Sequence, residues 1–245
     1  MRSTNPLLSE KAFENRGYSS YSRDLMTIDG TVNKVGMLLL LTAGMALFSW
    51  MMFGGTGLVQ LWMIVGAIGG FITAMVTVFQ KHLSGITAPI YALFEGVFLG
   101  CFSGYMETIY PGIAFQAVCL TFFVLFSLLL VYKARIINVT QNFRLGVFAA
   151  TAAIGLYYLF SFTVSFFGVT VPFIHDSGLM GIGFSVVVVV VASLNLVLDF
   201  DFIEKGSQSN LPKYMEWYGA FGLMVTLIWL YVELIRLLAK LRSNK

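Results

Sequence analysis

The sequence predicts an all-α polytopic membrane protein, a bundle of seven transmembrane helices. Three observations carry that prediction. Seven apolar stretches follow Lys34, at roughly 35–53, 58–79, 86–106, 113–132, 145–167, 178–198 and 217–235. Each is near the ~20 residues that cross a ~30 Å hydrocarbon core. Five contain no Asp, Glu, Lys or Arg; the third contains only Glu95 and the seventh only Glu233. Finally, 58% of the 245 residues are apolar and 11% are charged, with a mean hydropathy of +0.84. An ordinary soluble domain carries ~25% charged residues. So few charges cannot cover a soluble globule, which excludes a cytosolic enzyme domain and a nucleic-acid binder working through a basic face.

Each stretch reads as helix because a spanning segment must satisfy its backbone groups internally, and only helices and closed barrels do so. Barrel strands would be short and would alternate apolar with polar residues, whereas these runs are long and apolar on all sides. Val186–Val191 has strand propensity, but it lies inside a long apolar run where the membrane overrides that preference. Gly54, Gly55, Thr56 and Gly57 form a tight uncharged hairpin between the first two helices. The organisation is therefore one compact domain, 35–245, behind a polar tail, 1–34. That tail holds nine charges and no apolar leader core, and residues 1–24 are expected to be disordered.

Lys and Arg counting sets the orientation. With the tail inside, eleven basic residues fall on its side, in the tail and in the loops after the second, fourth and sixth helices. The opposite loops hold none. The remaining four, Arg236, Lys240, Arg242 and Lys245, follow the seventh stretch and fall outside if it crosses. Seven crossings with a cytoplasmic N-terminus are expected, with six and a re-entrant last segment as the alternative.

Sites of known chemistry are scarce. Gly-Ala-Ile-Gly-Gly (66–70) lacks the Lys-Ser/Thr of a phosphate loop. Cys101 and Cys119 lie in apolar runs and read as small apolar fillers. His82 and His175 are lone loop histidines. No enzyme, resident cofactor or nucleic-acid partner is expected. Gly96, Gly100 and Gly104 repeat at i+4 on the third helix, and Gly66 and Gly70 on the second, a spacing that lets helices approach closely.

Acids inside such a chain are the candidate functional residues, because a charge at a helix centre costs about 2.5–3.5 kcal/mol on insertion scales. They are Glu95, Asp199, Asp201, Glu216 and Glu233. Structural readings stand beside the functional one. Glu233 can be neutralised by Arg236 one turn on, Asp201 can pair with Lys205 at i+4, and Glu216 suits a helix start. Asp199 shares a helix face with Asn195. The short connection between the last two helices puts Glu216 and Asp199 or Asp201 at similar depth on the tail side. Two carboxylates in a dry site cannot both ionise easily, and once deprotonated they would attract a hard cation such as Ca²⁺.

In order and helix position, Phe94-Glu95-Gly96-Val97-Phe98-Leu99-Gly100, Leu198-Asp199-Phe200-Asp201 and Leu230-Tyr231-Val232-Glu233-Leu234 resemble the Bax inhibitor-1 (transmembrane BAX inhibitor motif) family, in a bacterial member. The resemblance spans residues from about 30 to 240. It implies a seven-helix bundle with the last helix central, in the bacterial inner membrane. It also implies a pH-dependent calcium leak governed by two acids, which fall on Asp199 and Glu233, with calcium held transiently. A basic residue of the second helix is implied as a latch; that helix has no Arg here, and Lys81 just past its end is the nearest candidate. The last acid is Glu instead of Asp, and its distance along the helix leaves Glu216 as an alternative partner for Asp199. Some bacterial relatives are linked instead to a non-conducting role, modulating a membrane protease or another membrane partner.

Overall fold

The structure is a computed structural model that describes residues 25–54, 56–168 and 178–244. Residues 1–24 and His175 lie outside the described residues. Among the described residues there are seven α-helices: α1 Ile28–Phe53, α2 Val59–Phe79, α3 Ser84–Ile109, α4 Ile113–Lys133, α5 Gln141–Ser165, α6 Leu179–Gln208 and α7 Tyr214–Ser243. All are long and apolar enough to cross a membrane. The valine run lies within α6, as helix.

Helix ends follow local chemistry. The helix of α1 starts at Ile28, seven residues before the apolar stretch begins, because the Thr27 hydroxyl accepts from Gly30 N at 3.0 Å and caps it. Thr140 caps α5 in the same way, accepting from Phe143 N at 3.2 Å. A single 3₁₀ turn, Lys81–Leu83, joins α2 to α3. At the opposite end, α4 begins after Gly112, whose φ of +80° needs glycine. There the Glu107 carboxylate accepts from Gly112 N and, at 3.1 Å, from Ala114 N.

The last helix is the core of the bundle. In its most apolar window 61% of residues are buried, against 11% in α5. Leu230 and Ile235 of α7 share one core cluster with Leu196 of α6, and Met224 of α7 shares another with Leu38 of α1, all fully enclosed. The helix runs from one end of the bundle to the other. Its start is held on the side of Ile28, called here the tail side. On the far side, Lys240 Nζ donates to Gly181 O at 3.0 Å and Arg242 donates to Pro111 O at 2.7 Å. Two of the four C-terminal cations therefore close carbonyls at the far-side ends of α6 and α3–α4, so no re-entrant turn is needed to place them.

The glycine stripes set the depth of packing of α3. A Cβ at Gly96 would lie 2.7 Å from Met45 Cβ and 2.8 Å from Thr42 O, both on α1. One at Gly100 would collide with Ala46 O, and Gly104 faces the Trp50 ring. From the other side, a Cβ at Gly66 of α2 would lie 2.6 Å from Phe98 N. The backbone of α3 is thus wedged between α1 and α2. Buried hydroxyls knit the contact, with Thr42 donating to Ala92 O at 3.2 Å and Thr77 bonded to Thr87 at 2.7 Å.

Candidate functional site

Four of the acids named from sequence are held apart by the bundle. Glu216, 1% exposed at the start of α7, turns towards α1. It accepts from Thr27 N at 2.9 Å and Thr27 Oγ1 at 2.8 Å, and pairs with Lys34 Nζ at 2.5 Å. Glu233, also 1% exposed, faces α5: Tyr158 donates to it at 3.0 Å and Arg236 at 3.1 Å. Asp201 lies between Arg144 of α5 and Lys205, whose Nζ is 2.8 Å away. Glu95 points at α2, where a Cβ on Gly70 would lie 2.6 Å from its Oε1. A further tail-side acid, Glu204, accepts from Tyr132 and Arg135.

Asp199 differs from these. It lies two residues before Asp201 on α6, and its Oδ2 is buried without a hydrogen-bond partner among the described residues. On α7 it faces Gly222, whose Cβ would lie 3.8 Å from Oδ1, and the Thr226 hydroxyl. Such an atom is costly in a dry site.

The two-acid arrangement implied by resemblance is therefore not assembled in this conformation. Gly222 is the α7 residue beside Asp199, and Glu233 lies eleven residues further, roughly 16 Å at 1.5 Å per residue. One calcium ion cannot touch both. The pairing of Asp199 or Asp201 with Glu216 is not formed either: depth is shared, but the Glu216 carboxyl is turned around α7 onto α1. Among the described residues no three His, Cys, Asp or Glu side chains converge as metal ligands. Lys81, the latch candidate, has its Nζ 5.2 Å from the centre of the Tyr218 ring.

Asp199 lines a cleft of about 850 Å³ between α2, α5, α6 and α7. Asn195, Asp199, Asp201 and Lys205 line it from α6, Arg144 and Phe148 from α5, and Tyr218, Gly222 and Val225 from α7. Asn195 is occupied, donating to Thr151 Oγ1 at 2.8 Å and to Val191 O at 2.9 Å.

Sequence reasoning missed Thr27, Lys34, Arg144 and Tyr158. The Thr27 cap had a local signal. The others are partners remote in sequence, such as Lys34 for Glu216, which no spacing rule reaches.

The order of elements, the central last helix and the acid on α6 can be set beside known proteins. No curated protein and no solved structure matches the chain. A family described as Bax inhibitor 1 like matches residues 5–243, nearly the whole length. The chain is an integral, multi-pass membrane protein and belongs to the Bax inhibitor 1 like family.

Proposed function

We propose that this protein is a non-enzymatic, pH-sensitive cation leak of the bacterial inner membrane, with calcium as its cargo and its N-terminus cytoplasmic. The observation that carries this reading is Asp199, an acid within a membrane-spanning helix whose Oδ2 has no partner among the described residues. Intramembrane acids are expensive and commonly mark ion or proton routes. Protonated, Asp199 is neutral and offers nothing to a cation; deprotonated, it offers oxygen ligands and a charge to a hard ion. The charged groups around it are few. Asp201 and Lys205 from α6 and Arg144 from α5 line the same cleft, while α2 contributes Ala74, Met75 and Val78 and α7 contributes no charge there. Calcium flux into liposomes holding the full chain should rise with pH, and Asp199→Asn should flatten that dependence. Absence of flux at every pH overturns the reading.

One observation favours a second reading, a non-conducting modulator of a membrane protease or other membrane partner. Glu216, Asp201 and Glu233 each have a cation partner, so a two-acid gate lacks its second acid in this conformation. On that reading, deleting residues 1–24 removes activity in cells, Asp199→Asn does nothing, and a partner co-purifies.

A further inference from the structure

The cleft beside Asp199 has the form of a site for an amphiphile. Along α6 it runs from Asn195 to Ser209, roughly 21 Å at 1.5 Å per residue. Its body is apolar, walled by Met75, Val78, Phe148, Leu198, Phe202 and Val225. It is open on its side: Val225 belongs to the central helix, yet it is 38% exposed, and Phe148 on the rim is 71% exposed. An apolar opening at hydrocarbon depth does not hold water well. Acyl chains are the medium that reaches it.

The tail-side end is different in character. Arg144 sits in the first turn of α5 and Lys205 in the last turn of α6. Both bind one acid, Asp201, so two cations share a single negative charge. Their side chains remain 40% and 51% exposed, and a guanidinium with five N–H donors and an ammonium with three keep donors to spare. Basic clusters between helices at the headgroup level suit anionic lipid headgroups.

We propose that the cleft binds one anionic phospholipid, its phosphate on Arg144 and Lys205 and an acyl chain along α6 towards Val225. A lipid seated there covers the approach to Asp199. The inference does not rest on conduction, because it is read by lipid retention and not by flux.

The full chain is reconstituted in phosphatidylcholine vesicles containing a minor fraction of phosphatidylglycerol and re-extracted in mild detergent. Retained lipid is then identified by mass spectrometry. Phosphatidylglycerol should be enriched over its input share. Arg144→Gln and Lys205→Gln should each lower the enrichment, by about fivefold per cation. Val225→Trp, which fills the cleft and leaves both cations in place, should remove the retained lipid. Soluble glycerol phosphate should not displace it. Retention at the input ratio, enrichment that survives these variants, or displacement by glycerol phosphate alone (a free-anion site) overturns the proposal. If the cation variants do not elute as a single species, Val225→Trp decides: loss of the lipid supports the site and unchanged retention overturns it.

Discussion

The two sides of the bundle are built on different principles. On one, α1, α2 and α3 meet through Gly66, Gly96 and Gly100, backbone against backbone, with hydroxyls bridging the contact. On the other, the two glycines of α5 are open to space, with nothing within 4 Å of a Cβ at Gly146 or Gly155, and a cleft separates helices. In lipid, no hydrophobic force drives helix against helix, so close packing requires small residues at the contact. Glycine in a membrane helix therefore says nothing by itself; its neighbour decides. The tight side holds the fold, and the open side keeps within reach of a cleft an acid, Asp199, with one oxygen unpartnered among the described residues.

The sharpest way to break this comparison is one substitution made on both sides. Gly100→Leu should cost about 3 kcal/mol or more, because the clash is with the Ala46 carbonyl and backbone cannot step aside. Gly155→Leu should stay within about 0.5 kcal/mol. Thermal unfolding in detergent, followed by fluorescence-detected elution, measures both, and equal losses would dissolve the distinction.

Next comes the pairing of the acids. Glu216→Ala should destabilise by about 2–3 kcal/mol, since it strips Lys34 and Thr27 of a buried acceptor and detaches α1 from α7. The double change with Lys34→Met should recover part of that loss. Tyr231→Phe, which leaves Ser103 without its 2.7 Å partner, should cost roughly 0.6 kcal/mol. Smallest of all is Asp199→Asn. With no ion pair to lose, its unfolding midpoint should be unchanged or slightly raised. A fall as large as that of Glu216→Ala would show that Asp199 has a structural partner after all.

How far the sequence could be read follows the same division. Segment positions were legible because twenty apolar residues have one use in a membrane, and the far-side end of α7 resolved the misplaced cations at Lys240 and Arg242. The glycine stripe announced close approach but not its partner: Gly96 and Gly100 meet α1, while α2 brings its own Gly66. The apolar stretch and the helix begin at different places, because apolar content marks the membrane core while the Thr27 cap and Asp29 mark the helix start. The site was least legible. Resemblance pairs Asp199 with Glu233, but rotation about α6 and α7 aims side chains, and that rotation is set by tertiary packing.

The anchoring of α7 limits how this molecule can move. Glu216 ties one end to Lys34 and Thr27, and Lys240 ties the other to Gly181. A piston stroke of one turn, about 5.4 Å, would snap both moorings together. Swinging of the loosely seated α5 leaves both intact, so any rearrangement that uncovers Asp199 should come from the periphery closing or parting around a stationary axle.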